Sequence, residues 1–237
     1  MKPYFVKTPK LVQQYFSNYV WNMGSAKKDI YLTFDDGPHS EITDWVLHLL
    51  KNYNASATFF CVGDNIKKYP KTYNELILQN HSIGNHTFDH LNGWKTSNKD
   101  YQNSVLKAEE LISKQKREER TDLPAGKAGK RELESIPTNN EQQPTTKLFR
   151  PPYGKIKSSQ AKFLIKKGYQ IIMWDVLSAD FDQNISREKC LQNVIKNTKP
   201  GSIIVFHDSE KALKNLEYAL PKVLEYFSEK GFEFKAL

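Results

Sequence analysis

Two aspartates, Asp35 and Asp36, stand side by side at the end of the run Ile30-Tyr31-Leu32-Thr33-Phe34, and Gly37-Pro38 follows at once. The run reads as a buried strand, and Gly-Pro as the turn that ends it. Two carboxylates held at one strand end repel each other unless a cation lies between or beside them. Further along, His86-Thr87-Phe88-Asp89-His90 sets two imidazoles four residues apart. That spacing places both on one face of a helical turn, within reach of one metal ion. Two imidazoles and one carboxylate leave positions open for water and substrate, as a catalytic metal needs. Alone, the histidine pair is weak evidence and fits a hydrogen-bonded surface turn better; beside Asp35-Asp36 the metal reading is favoured.

Other polar residues stand at similar places. Arg150 precedes Pro151-Pro152, which restricts its direction at a strand end. His207 follows the apolar run Ile203-Ile204-Val205-Phe206 and reads as functional, with a satisfied core histidine as the alternative. Asp208 reads as a cap or turn residue, and Thr87 as a brace for the His86–His90 turn. His39 is placed to reach the rim of such a site; His48 and His81 read as structural or exposed. Cys61 and Cys190, the only cysteines, read as buried free thiols.

These residues need a scaffold, and the chain alternates strand and helix patterns. Strands are expected at 30–34, 57–62, 82–84, 147–150, 170–174, 202–206 and 232–234. The first expected helix is capped by Ser40 and buries Ile42, Trp45, Val46, Leu49 and Leu50. Others are expected at 72–79, 100–113, 159–167 with Gly168 closing it, 186–197, and 213–230 with a break or kink near Pro221. Such alternation argues for a parallel sheet covered by helices. Each polar candidate falls just after a strand, where α/β folds place their sites.

The 237 residues suit one large domain. Residues 1–25 read as a short amphipathic lead-in packed on a domain spanning 26–237. Residues 116–146 lack aromatics and carry Pro124, Gly126, Gly129, Pro137 and Pro144. They read as a flexible surface insertion, or else as a lid running into Arg150. The net charge is +8, with lysines scattered along helix faces and no basic arm, so no nucleic-acid partner is expected. No segment is long enough to span a bilayer and no signal peptide is visible, so read alone the sequence points to the cytoplasm, with export by a route it does not show as the alternative. A monomer is expected.

Five ordered motifs resemble those of the polysaccharide deacetylase family, the NodB-homology domain of carbohydrate esterase family four. They are Thr33 to Pro38, His86 to His90, Phe149 to Gly154, Trp174 to Phe181, and Val205 to Asp208. The resemblance implies an α/β fold, a distorted (β/α) barrel of about seven parallel strands with its site at their C-terminal ends. It implies metal-assisted removal of acetyl groups, N-acetyl above all, from an acetylated glycan or sugar. Asp36, His86 and His90 would hold one divalent ion, Zn2+ first, with Co2+, Mn2+ or Ni2+ as alternatives. Asp35 would be the general base, Arg150 its orienting partner, His207 the general acid and Asp180 the residue that tunes His207. Tyr153, Phe181 and Val205 would contact substrate, Tyr153 through its backbone N–H. Tyr153 and Trp94 are candidate sugar-stacking aromatics, although core packing suits Trp94 as well.

The fourth motif departs from the family. Leu177 stands where an aspartate is common and Phe181 where a tryptophan is; Asp175 is not expected to replace the missing carboxylate. Val205 stands in place of a leucine. A deformylase or an O-deacetylase would use the same residues. The alternative of another class is an inactive carbohydrate-binding protein, which would normally have lost the base or a ligand.

Overall fold

Side chains of β1 (Asp29–Asp35) alternate between two surroundings. Ile30, Leu32 and Phe34 enter an apolar cluster shared with helices, while Tyr31, Thr33 and Asp35 face the other way. The computed structural model describes residues 4–24, 26–121 and 147–237. β2 (Thr58–Cys61), β3 (Ser82–Asn85), β4 (Lys147–Phe149) and β5 (Tyr169–Ile171) follow in order on one side of β1. β7 (Ile203–His207) and then β6 (Val176–Leu177) lie on the other side. These seven strands pair in parallel and curl into an incomplete (β/α) barrel, and β8 (Glu233–Phe234) adds to the start of β1.

Three apolar clusters hold the barrel. The largest joins the outer face of β1 to α2 (Ile42–Asn52), α4 (Pro70–Leu78), α7 (Arg187–Asn197) and α8 (Leu213–Glu229). A second packs α5 (Asn98–Thr121) and α6 (Ser158–Lys166) against Phe149 and Ile171. A small third cluster, Phe60, Ile172 and Ile203, fills the barrel interior.

Strands β5 and β6 do not pair with each other, and the N-terminal residues lie across that seam. Val20 bridges to Ile172, Lys7 to Val176 and Asn22 to Ser202. The buried Asp175 carboxylate accepts from Lys7 at 2.7 Å, Asn22 at 3.0 Å and Ser202 at 3.1 Å. Trp21 joins the second cluster and donates its indole N–H to the Phe16 carbonyl. The lead-in is therefore held by extended residues. Its helix α1 (Lys10–Tyr15) has no fully buried side chain: Val12 packs on the second cluster, while Leu11 and Tyr15, expected on the same apolar face, are exposed.

Several boundaries differ from expectation. Ser40 does not cap α2; the His39 ring nitrogen faces the Glu41 and Ile42 amides instead, at 3.3 and 3.4 Å. α3 (Gly63–Lys68) and the two-residue β6 were not foreseen, being too short to show a period. The strand expected to reach Trp174 ends at Ile171; the Ile172 N–H still donates to the Phe149 carbonyl of β4, and beyond it the chain pairs with Val20 on its other edge. α5 continues to Thr121, so residues 116–121 are helical, and the rest of the predicted insertion, 122–146, lies outside the described residues. α8 runs on through Pro221, held by the burial of Leu216, Leu220, Val223 and Leu224. Both cysteines are free and buried. No helix among the described residues is long and apolar enough to cross a membrane.

Candidate active site

Strand register gathers the polar residues. Asp35 is level with Phe60 of β2 and with His207 of β7. Cys61 is level with Asn85 of β3, and Asn85 with Phe149 of β4. The residues that follow these strand ends, Asp36, His86 and Arg150, therefore reach one rim together with Asp35 and His207.

Asp35 and Arg150 form a buried pair at 2.7 Å, 4% and 0% exposed. The same Arg150 terminal nitrogen donates to Thr33 Oγ1 at 2.6 Å, and Thr33 donates onward to the Ile204 carbonyl. Nε and the second terminal nitrogen reach the carbonyls of Ile172 and Met173, and the guanidinium lies 4.1 Å over the Phe60 ring. Burial lowers the Arg150 pKa, and Asp35 works against that shift. A guanidinium with this many fixed partners has one orientation, and it fixes Asp35 Oδ1.

Asp36, His86 and His90 each offer a ligand atom, all within 4.8 Å of one another. Asp36 Oδ1 lies 3.7 Å from His86 Nε2 and 3.0 Å from His90 Nε2. His86 Nδ1 is 2.7 Å from the Arg150 carbonyl, which can only accept, so Nδ1 carries the proton and Nε2 presents its lone pair to the cluster. Burial is the main cause that lowers the His86 pKa to about 4, which keeps the ring neutral, as a metal ligand must be. Burial opposes ionisation of Asp36, but the hydrogen bond from His90 and the nearby His207 and His86 outweigh it and hold the carboxyl below its usual range. An ionised carboxylate facing a neutral imidazole lone pair is a donor set that fits a divalent cation.

The histidine pair does not lie on a helical turn. Thr87 and His90 have φ of 64° and 53°, and Asp36 has φ of 80°. The Asn85 side chain accepts from the Thr87 N–H at 2.9 Å, and Ser104 Oγ accepts from Phe88 at 2.9 Å. These local bonds replace a helical turn with a bend that aims both rings at Asp36. Thr87 Oγ1 accepts from the Leu91 N–H, as its bracing role requires.

His207 faces the cluster from β7. Asp180 Oδ1 lies 2.8 Å from His207 Nδ1, and Oδ2 accepts from the His207 backbone N–H at 2.8 Å. Burial works against the imidazolium, but Asp180 first, and then Asp36 and Asp35, push the His207 pKa up to about 9. Phe181 packs edge-on against His207 with centroids 5.0 Å apart, and Tyr4 packs on Phe181.

The remaining candidates divide. Tyr153 is exposed beside His90, 4.6 Å between centroids, with φ of 60°. Val205 is buried two residues before His207, so it points to the same side of β7. Trp94 is 61% exposed and not in the core. Leu177 is buried beside Val205. Asp175 serves the N-terminal seam and does not stand in for a carboxylate at Leu177. His39 pairs at 3.4 Å with Glu210; His48 is exposed, and the buried His81 accepts from the Ala57 N–H.

Sequence reasoning missed two braces. Thr33, two residues before Asp35, shares its partner Arg150; strand alternation was the available signal. Asp208 was read only as a cap or turn residue. It is buried and accepts from the Gly37 N–H at 3.0 Å and the Thr43 hydroxyl at 2.5 Å, while its own N–H donates to the Asp35 carbonyl. It thus ties the Asp35–Gly37 turn to α2 and β7.

A family model described as polysaccharide deacetylase matches residues 22–135. A peptidoglycan-N-acetylglucosamine deacetylase of Bacillus cereus is 32% identical over 212 residues, 89% of this chain and 67% of that protein. A chitooligosaccharide deacetylase of Azorhizobium caulinodans is 30% identical over 77% of this chain and 74% of its own length. Among solved structures, a peptidoglycan N-acetylglucosamine deacetylase superposes with a TM-score of 0.77 at 31% identity, covering 97% of this chain and 95% of the other.

Proposed function

The chain belongs to the polysaccharide deacetylase family of carbohydrate hydrolases, and on that premise we propose that it removes N-acetyl groups from a glycan with the aid of one divalent metal ion. The observation that carries this reading is the Asp36–His86–His90 donor set on one rim with the Asp35–Arg150 and Asp180–His207 pairs. Asp36, His86 and His90 would hold the ion, with zinc favoured by two imidazoles and a carboxylate. When bound, such an ion polarises the acetamide carbonyl and lowers the pKa of water toward ~7. The relatives named above bring peptidoglycan or a chitooligosaccharide to this chain as the substrate class.

The protein residues then divide the proton traffic. Asp35 takes a proton from the attacking water; Arg150 occupies Oδ1 and leaves Oδ2 for that task. The Tyr153 backbone N–H supports the developing oxyanion. His207 protonates the sugar nitrogen as the C–N bond breaks, and Asp180 on Nδ1 leaves Nε2 as the donor. Phe181 walls the site beside His207, and Val205 accepts the acetyl methyl.

The test is a panel of N-acetyl, N-formyl and O-acetyl sugar oligomers given to the zinc-loaded protein, with products read by mass spectrometry. Acetate together with a free-amine oligomer is the expected result. Formate alone, cleavage of the ester alone, or no release from any member would overturn the reading.

A further inference from the structure

The N-terminal residues that cover the open seam continue past it to the catalytic rim. The Thr8 N–H donates to the Asp175 carbonyl at 3.0 Å and the Leu177 N–H to the Val6 carbonyl at 2.8 Å, an antiparallel course with Lys7 level with Val176. The same course carries Tyr4 to the turn after β6, which holds Asp180, Phe181 and Asp182. Tyr4 meets that turn twice. Its hydroxyl donates to Asp182 Oδ2 at 2.7 Å, and its ring lies edge-on to Phe181 with centroids 5.6 Å apart. Asp182 is itself fixed, because its other oxygen accepts from the Asn184 backbone and side-chain N–H groups at 3.0 Å each. The bond from Tyr4 is the leading cause that holds the Asp182 carboxyl below its usual range, as an ionised acceptor. Phe181 is in turn edge-on to His207, with centroids 5.0 Å apart. Its N–H donates at 3.0 Å to Asp180 Oδ1, the oxygen that faces the His207 ring nitrogen. Phe181 is only half-buried, so its immediate neighbours rather than the core must hold its ring.

We propose that Tyr4 is a positioning residue of the active site: through its ring and its hydroxyl it holds Phe181 against His207, so that the N-terminal residues complete the aromatic wall beside the acid. Edge-on aromatic pairs have a preferred geometry, and a hydroxyl bonded to a fixed carboxylate keeps one member of the pair from turning away. The effect on turnover rests on the deacetylase reading, which makes His207 the acid; the contact itself does not.

The test is made on the zinc-loaded protein with an N-acetylglucosamine oligomer. In Tyr4→Ala kcat should fall about tenfold with zinc content unchanged, and Tyr4→Phe, which keeps the ring and loses the bond to Asp182, should fall less. In a Phe181→Ala background the further loss from Tyr4→Ala should be under about twofold, because the ring that Tyr4 positions is gone. A kcat in Tyr4→Ala within about twofold of wild type, or an equal loss with and without Phe181, would overturn the proposal. The His207 ring resonance of isotope-labelled protein reads the same contact without turnover. In Tyr4→Ala it should move toward its position in Phe181→Ala; a resonance left at its wild-type position would also overturn the proposal. Tyr4→Phe is close to isosteric and carries the resonance test if the alanine variant fails to fold. A moved resonance without acetate release from the wild type would leave the role of Tyr4 standing and sink the deacetylase reading instead.

Discussion

Asp35 and Asp36 are neighbours with opposite surroundings, one buried against a guanidinium and the other turned by its left-handed backbone toward two imidazoles. The same contrast separates His86 from His207. Burial dominates at His86 and favours the neutral ring, while Asp180 overcomes burial at His207 and favours the charged one. If His207 is the acid, as proposed, it must be protonated to act, so activity should fall as pH rises through its pKa. Asp180→Asn removes the leading cause of the upward shift, so the basic limb of the kcat/KM profile should move to lower pH. A limb that stays in place would remove His207 from the acid role. Residue types and order were legible in the sequence, down to Asp180 as the partner of His207. The Thr33–Arg150 bond was not, because the two residues are 117 positions apart and meet only through strand register.

Elements bring these side chains together by where they stop. β1 and β7 end level with one another and β3 runs one residue further, and local side-chain bonds then turn the chain. Gly37 shows how tight that turning is. A Cβ there would lie 2.0 Å from Asp208 Oδ2, so Gly37→Ala should displace the Asp36 turn. The expected loss is about 1–3 kcal/mol in the free energy of unfolding by urea, with weaker zinc retention against a chelator. Adding Asp208→Ala relieves the clash, so the double variant should lose less than the sum of the single losses; strict additivity would contradict the brace. The Gly-Pro turn and the alternation of β1 could be read in advance. The bend at His86–His90 could not, since four-residue spacing fits a helical turn as well. Asn85 and Ser104, which decide between the two, are ordinary polar residues until the fold places them.

At the scale of the molecule, the seven parallel strands followed from the alternation of patterns, whereas the open seam and its N-terminal cover did not. Contacts of one residue each, such as Lys7 with Val176 and Val20 with Ile172, leave no periodic trace. Asp175 concentrates that cover into one buried carboxylate. Asp175→Ala should lower stability by about 1–3 kcal/mol and speed amide exchange at Thr8, Val20 and Met23, whose N–H groups bond across the seam. Unchanged exchange at those amides would mean that the seam is held elsewhere. The central claim concerns the whole assembly: one rim holds a metal with one aspartate and activates water with its neighbour. The most direct measurement is zinc content together with acetate release from an N-acetylglucosamine oligomer, for wild type, Asp36→Ala and Asp35→Asn. Zinc should be lost in Asp36→Ala. In Asp35→Asn it should stay bound while turnover falls about 10²–10⁴-fold. Near-wild-type turnover in Asp35→Asn, or full zinc retention in Asp36→Ala, would contradict the account.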